Sequence, residues 1–327
     1  MPTKCNRCPR KCSGIGRGFI GFCGVVVVDD DGVRDKYPWM VTAVTVSMIE
    51  KIPLYHFYPG VRSLNLWVPG CPYTCNNCPW GAVVGGEDVG KLYDLRVISI
   101  EKILDYYNHV NAKIVSVLGG EPLVQEWVVT LLDELKNKNV KTVVKTTLSV
   151  SRNILEKLHV DAILIDLPLL AGSIPLFSDV IENISIVDKK NIHYEILLSI
   201  DNTSMLKWPH ISEKLSSLGK DTPIHLQITE PVNWKTIRKL IDILEHKGFN
   251  YIYVVGDTSG EYTTTYCPKC KSPVIIRDEY GLREVLLDNN KCPKCGLELK
   301  IIGGYTKGKQ RRISRLLGSG ERILWSP

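Results

Sequence analysis

The chain has 327 residues, 44% hydrophobic and 23% charged, with a formal net charge of +6. That length can bury a large core and holds one sizeable domain with appendages. Nothing in it resembles a signal peptide and its early apolar run, residues 25–28, is far too short to span a bilayer, so a cytoplasmic protein is expected.

The positive charge belongs to the two ends. Residues 1–24 carry Lys4, Arg7, Arg10, Lys11 and Arg17 with no acid, and residues 303–327 carry Lys307, Lys309, Arg311, Arg312, Arg315 and Arg322 against Glu321. Part of this charge is expected to offset thiolates. The eleven cysteines cluster as four, three and four, which points to metal sites in a reducing compartment rather than to disulfides.

In chain order, residues 1–24 form a cysteine-rich metal knuckle. Cys5, Cys8, Cys12 and Cys23 have the spacing C-x2-C-x3-C-x10-C, and Gly14, Gly16, Gly18 and Gly21 let the loop wrap an ion. Four thiolates saturate either a structural zinc or a second iron–sulfur cluster, and spacing leaves both open. Residues 25–62 read as a β-rich leader, with a hairpin about Asp29-Asp30-Asp31-Gly32 and alternation over 41–48. Its end, Lys51-Ile52-Pro53-Leu54-Tyr55-His56-Phe57-Tyr58-Pro59-Gly60, is dense in aromatics, which composition assigns first to core packing.

From 63 to 258, β-rich runs alternate with segments of helical period. The pattern predicts strands over 64–68, 113–118, 141–146, 162–166, 193–200, 224–228 and 251–255. Helices are predicted over 99–109, 125–137, 152–158, 211–218 and 235–247. The fold class is therefore α/β, a partial (β/α)6 TIM-type barrel whose working residues belong at the carboxyl ends of the strands. Cys71, Gly119, Gly120, Glu121, Thr146, Asp166 and Ser199 fall there.

Residues 259–304 contain Cys267, Cys270, Cys292 and Cys295, two C-x2-C knuckles of a zinc-ribbon-like module with short strands expected at 274–276 and 284–287. Zinc is the expected ion and a rubredoxin-like iron the alternative. Residues 305–327 are a basic tail suited to a phosphate backbone, so an RNA- or protein-binding adaptor is a rival of another class.

Cys71, Cys75 and Cys78 follow an apolar run in Val-Pro-Gly-Cys-Pro-Tyr-Thr-Cys-Asn-Asn-Cys-Pro-Trp. By itself the trio has a second, less favoured reading as part of a zinc knuckle. A [4Fe–4S] cube held by only three cysteines, however, leaves one iron open. With Gly119-Gly120-Glu121-Pro122 one β–α unit further on, the pair of motifs resembles the radical S-adenosylmethionine (radical SAM) superfamily. That resemblance implies a [4Fe–4S] cluster on Cys71, Cys75 and Cys78, with SAM oriented by Gly119, Gly120 and Glu121. It implies reductive cleavage of SAM to a 5′-deoxyadenosyl radical, supplied by a low-potential electron donor, and hydrogen abstraction from a protein, peptide or small molecule. It also implies that Thr146, Asp166 and Ser199 lie near the ribose and carboxylate, and that His225 and the aromatic segment face adenosine or substrate.

The whole plan, with Pro-Leu-Tyr-His-Phe-Tyr-Pro-Gly, Thr-Tyr-Cys-Pro-Lys-Cys and Lys-Cys-Pro-Lys-Cys-Gly, resembles the radical SAM enzyme of the AmmeMemoRadiSam system over residues 4–304. That family is related to pyruvate formate-lyase activating enzymes, and its companions imply Memo-like and AMMECR-type partners, with glycyl-radical activation as an alternative activity. Three positions bear on how far the resemblance extends. Asn77 stands where an aromatic is common, leaving Tyr73 or Trp80 for adenine. Asp166-Leu167-Pro168 lacks the lysine of the relatives' Asp-Leu-Lys, while His225 is retained in Ile224-His225-Leu226.

Overall fold

The computed structural model describes residues 2–14, 18–75, 78, 87–167, 176–201, 204–278, 281–309 and 322–325. The chain divides into two compact units: Met1–Val46 with Arg62–His193 and Arg322–Pro327, and Ser47–Val61 with Tyr194–Glu321. The division falls within the span expected as one barrel core, and the aromatic segment groups with the second unit.

The first unit begins with two small hairpins, β1 (Thr3–Lys4) with β2 (Ser13–Gly14) and β3 (Val26–Asp29) with β4 (Gly32–Asp35). Gly14 is required where they meet, because a Cβ there would lie 2.0 Å from the Val28 carbonyl oxygen. β5 (Met40–Val41) and β6 (Ala43–Met48) follow, then β7 (Arg62–Val68), the short helix α1 (Val89–Leu92) and β8 (Arg96–Val97), which pairs with β5. The β/α array of this unit continues through α2 (Ile100–His109), β9 (Ile114–Gly119), α3 (Glu126–Asn137), β10 (Lys141–Thr146), α4 (Arg152–Lys157), β11 (Ala162–Leu167) and α5 (Leu176–Lys189). β7, β9, β10 and β11 pair in that order and in parallel, with β6 on the free edge of β7 and the strand Arg322–Trp325 antiparallel to β6.

β9, β10 and β11 are apolar on both faces at their centres, where Ile114, Val115, Val117, Val143, Val144, Ile163, Leu164 and Ile165 are fully buried, and Leu64 and Leu66 are fully buried on one face of β7. Such near-continuous apolar runs are what parallel strands with covered faces need. Ser99 caps α2 by accepting from the Lys102 amide at 3.3 Å.

The second unit contains β12 (His193–Ile200), α6 (Ser204–Leu215), β13 (Ile224–Ile228), α7 (Trp234–His246) and β14 (Ile252–Val255), with the three strands parallel and in register. A four-stranded antiparallel sheet follows: β15 (Thr265–Tyr266), β16 (Pro273–Asp278), β17 (Gly281–Val285) and β18 (Gly308–Lys309). The core of this module joins Val274, Ile275, Val285, Leu287, Leu299 and Ile301 to Tyr55, Tyr251 and Tyr253.

Among the described residues the parallel strands in the two units number seven, and each coincides with a predicted run to within about two residues at its ends. Two helices differ. α5 was not anticipated, because its β-branched residues Val180, Ile181, Ile184, Ile186 and Val187 argue against helix by propensity; Val180, Ile184 and Val187 nevertheless stack on one buried face at helical spacing. The predicted helix 211–218 begins earlier, at Ser204, because Pro209 is accommodated inside it instead of opening it. Asn77, Trp80, Pro168 and residues 310–321 of the basic tail lie outside the described residues. Of that tail's cations, Lys307 is 3.4 Å from Asp288.

Candidate functional site

Cys71 follows β7 by three residues, at the carboxyl end of the strand. The neighbouring strand β9 ends in register with it, Val68 opposite Gly119. At this point the chain needs glycine. Gly119 has φ +121°, and a Cβ there would lie 2.1 Å from the Val68 oxygen; at Gly120 it would lie 2.0 Å from the Gly70 oxygen and 3.2 Å from the Cys71 Cβ. The amide of Gly120 donates to Val68 O at 3.2 Å and that of Glu121 to Gly70 O at 2.8 Å. The two motifs found separately in the sequence are thus one locked turn. Absent side chains let the Gly119-Gly120 backbone close on the cysteine loop.

Glu121 is fully buried and its carboxylate is engaged by the chain itself. One oxygen accepts from Thr146 Oγ1 at 2.6 Å and from the Leu123 amide at 3.3 Å; the other accepts from the Thr147 amide at 2.7 Å and from Thr147 Oγ1 at 2.5 Å. Burial pushes its pKa above the ordinary carboxylate value, against the pull of these donors. Glu121, expected to help orient a ligand ammonium, ties the Gly-Gly turn to the end of β10. Thr146, expected near the ribose, is part of the same tie and is buried.

Strand alternation sets Thr146 and Asp166 on opposite faces. Thr146 is level with Ile165 and Lys145 with Leu164, so Asp166 shares its face with Lys145 and not with Thr146. The Lys145 ammonium is 2.7 Å from the Asp166 carboxylate, both groups partly exposed. Burial works against the Lys145 charge, but Asp166, and beyond it Cys78 and Cys71, more than offset this and hold its pKa above the ordinary lysine value. Lys145 is the residue that sequence reasoning missed. Counting by twos back from Asp166 across the parallel register would have found it.

The three thiols are partly exposed. Desolvation raises Cys71 well above the ordinary thiol value, and raises Cys75 to about 11 with help from Cys78. Tyr73, fully buried, packs on Cys71 and Cys75 and donates its hydroxyl to Ser149 O at 3.2 Å. A sulfur-only donor set with a lysine nearby suits an iron–sulfur cluster, whose metal ionises the thiols and whose negative charge a cation offsets.

The remaining predicted residues belong to the second unit. Ser199 is half-buried on β12, level with Gln227. His225, expected to face adenosine or substrate, is fully buried and hydrogen-bonded through Nε2 to Glu195 at 2.7 Å. Glu195 also accepts from the amides of Tyr55 at 3.0 Å and His56 at 2.8 Å, so the aromatic segment closes on β12. His56 Nε2 meets Tyr253 Oη at 2.7 Å. Arg277 reaches Thr265 Oγ1 at 2.9 Å and donates to Tyr55 O at 2.6 Å. Within its unit, the Pro-Leu-Tyr-His segment packs into the core and its polar groups are met there.

Two further cysteine sets differ in form. Cys267 and Cys295 sulfurs are 3.5 Å apart, those of Cys270 and Cys292 3.6 Å, and all four lie within 4.8 Å of one another. Tetrahedral ligation at a zinc–sulfur distance of ~2.3 Å puts sulfurs about 3.8 Å apart, so this is a cage for one ion. Hydrogen bonding with Ser272 pulls the Cys270 thiol below its ordinary value, to about 6. Cys5, Cys8, Cys12 and Cys23 are gathered by the Cys5 amide donating to Cys12 O at 2.8 Å and the Phe22 amide to Cys12 Sγ at 3.5 Å. Burial pushes Cys8 up to about 12 and Cys23 to about 11.

Residues 59–171 match the family described as "4Fe-4S single cluster domain". The segment contains the trio of cysteines, the Gly-Gly turn, Lys145 and Asp166. An uncharacterized protein of Methanocaldococcus jannaschii, MJ0808, is 25% identical over 92% of this chain and 96% of its own length. QueE from Escherichia coli is similar over 66% of this chain and 93% of that one, at 15% identity and a TM-score of 0.46. SuiB from Streptococcus suis bound to S-adenosylmethionine is similar over 61% of this chain and 46% of that one, at 15% identity and a TM-score of 0.40. Among the described residues no helix is long and apolar enough to cross a membrane.

Proposed function

We propose that the protein is a radical SAM enzyme that holds a [4Fe–4S] cluster on Cys71, Cys75 and Cys78, cleaves SAM reductively and takes a hydrogen atom from a protein, peptide or small-molecule substrate. The observation that carries this is the locked turn: a trio of thiols one ligand short of closing a cube, with a Cβ-free backbone pressed against the loop that bears them. When bound, such a cluster supplies an open iron for the methionyl end of SAM and the electron that breaks its carbon–sulfur bond.

The chain's own residues set up that chemistry. Glu121, Thr146 and Thr147 fix the Gly-Gly turn from behind. Lys145 presents a cation held by Asp166 beside Cys71 and Cys78, where it offsets thiolate charge and stands within reach of a carboxylate on an incoming ligand. Tyr73 walls the cysteine loop on its inner side. Zinc at Cys267, Cys270, Cys292 and Cys295 is structural, a low-potential one-electron donor supplies the reductant, and the cytoplasm keeps the eleven thiols reduced. Membership of the AmmeMemoRadiSam type, with Memo-like and AMMECR-type partners and a peptide substrate, is the finer form of the same proposal.

Protein reconstituted with iron and sulfide without oxygen should convert SAM to 5′-deoxyadenosine with strong reductant, and the C71A, C75A and C78A variants should not. Failure of fully iron-loaded wild type to cleave SAM would refute the assignment.

A further inference from the structure

The N-terminal knuckle adjoins the cysteine loop of the barrel. The Cys71 amide donates to the Cys23 carbonyl at 3.2 Å. Gly70 is glycine because of this contact: a Cβ there would lie 2.5 Å from the methyls of Val25 and 2.9 Å from the Cys23 oxygen. Arg10 donates through Nε to Pro72 O and stacks over Phe22 at 3.4 Å from the ring centroid. Arg7, 5% exposed, accepts through its carbonyl from the Ser151 amide at 2.9 Å and donates to Val124 O at 3.0 Å, while its guanidinium also pairs with Asp35. Knuckle residues therefore hold the segments flanking Cys71, Glu121 and Thr147.

The knuckle also differs from the zinc-type cage. Among the described residues, the four ribbon thiols are the group of metal-binding donors that close to within 4.8 Å of one another. Cys5, Cys8, Cys12 and Cys23 stand wider, as do Cys71, Cys75 and Cys78. A single ion draws its four thiolates into one tight tetrahedron, whereas a cube seats each thiolate on a different iron and holds them farther apart.

We propose that Cys5, Cys8, Cys12 and Cys23 hold a second, fully ligated [4Fe–4S] cluster that passes electrons to the barrel cluster through the Cys23–Cys71 contact. The proposal rests on the radical SAM reading of the barrel. The through-bond route runs from the Cys23 sulfur along its side chain to its carbonyl, across one hydrogen bond to the Cys71 amide, and out to the Cys71 sulfur. One electron moves per SAM cleaved. The knuckle cluster is oxidised by one electron as the barrel cluster is reduced by one, and a low-potential iron–sulfur or flavin carrier protein restores it. With every iron capped by protein, this cluster offers SAM no site and serves only as a conductor.

The test is metal content and electron paramagnetic resonance of anaerobically reconstituted full-length protein. Wild type should hold about eight irons and one zinc per chain, the C71A/C75A/C78A variant about four irons, and the C8S/C12S variant about four. The reduced wild type should show signals broadened by magnetic coupling between two nearby clusters, and each variant a single unbroadened signal. C8S/C12S should keep SAM cleavage driven by dithionite and lose most of that driven by a reduced carrier protein. About four irons and two zincs in wild type, or two uncoupled signals, would overturn the relay and leave the barrel assignment standing. Iron content left unchanged from wild type in the C71A/C75A/C78A variant would instead sink the barrel assignment.

Discussion

Two sets of four cysteines bracket this chain, and they are built in opposite ways. The C-terminal set lies on turns beside an antiparallel sheet, two pairs of its sulfurs already 3.5 and 3.6 Å apart, and Cys267 and Cys292 are members of an apolar core with Val274, Ile275 and Leu299. The N-terminal set lies on the loops that join β1, β2 and β3, and polar contacts tie it to the rest of its unit: Arg7 to Asp35, Arg10 to Pro72 O, the Cys71 amide to Cys23 O. An apolar surround fixes a site that has only to hold its ion, since burial gives shape without chemistry. Polar contacts to the cysteine loop of the barrel connect the other site to a place where charge moves.

The largest effect should come from opening the C-terminal cage. The C270S/C292S variant should lose zinc and unfold the β15–β18 sheet, because structural zinc supplies on the order of 10 kcal/mol of folding free energy to such small modules. Hydrogen exchange over 265–301 and a zinc count read this directly. The same exchange experiment should show residues 51–60 loosening, since the amide of Tyr58 donates to Ile302 O at 2.7 Å and that of Ile302 to His56 O at 2.8 Å. Protection of that segment unchanged after zinc loss would separate the cage from the aromatic segment.

Next in size is E121Q. An amide in place of the carboxylate offers one acceptor oxygen where two serve four donors, and turns an NH2 group toward donors that need an acceptor. The cost should be roughly 3 kcal/mol of stability, read as a lower denaturation midpoint. E121A, which removes the side chain, should cost a similar amount. A neutral result for both would mean that the Gly-Gly turn is held by its glycines alone.

Those glycines mark how far the sequence was legible. All seven parallel strands were readable from apolar runs, as were the cysteines and the Gly-Gly-Glu turn at strand ends, because period and spacing are local properties. Roles that depend on which strand lies beside which were not. Thr146 and Asp166 follow one another as strand-end polar residues, yet register sends them to opposite faces and couples Asp166 to Lys145. The resemblance turns His225 toward adenosine or substrate, and only the fold shows Glu195 meeting its Nε2. α5 was hidden by β-branched residues whose tertiary packing overrides propensity.

K145M sharpens the contrast between holding and conducting. The fold should persist, because the ammonium is partly exposed and pairs with one carboxylate. Removing a cation beside Cys71 and Cys78 should make the barrel cluster harder to reduce, lowering its potential by on the order of tens of millivolts, and slow SAM cleavage about tenfold. K145R should restore most of the potential. Potentiometric titration followed by paramagnetic resonance distinguishes this from a loss of cluster, which iron content would report.

The smallest effect concerns acid stability of the knuckle. Asp29 accepts both terminal nitrogens of Arg34, at 2.8 and 2.9 Å, and the amides of Gly18 at 3.2 Å and Asp31 at 3.1 Å, so it joins the β3–β4 hairpin to the loop that carries Cys23. The Arg34 hydrogen bonds hold its carboxyl down to about 2. A carboxylate with a depressed folded-state pKa contributes stability that is fully present above the unfolded value of about 4 and is lost as pH falls through about 2. Wild type and D29N should therefore differ in stability at pH 7 and converge only as pH falls through about 2, with the difference confined to exchange at residues 18–35. An equal gap at both pH values would show that Asp29 acts through its shape and not its charge.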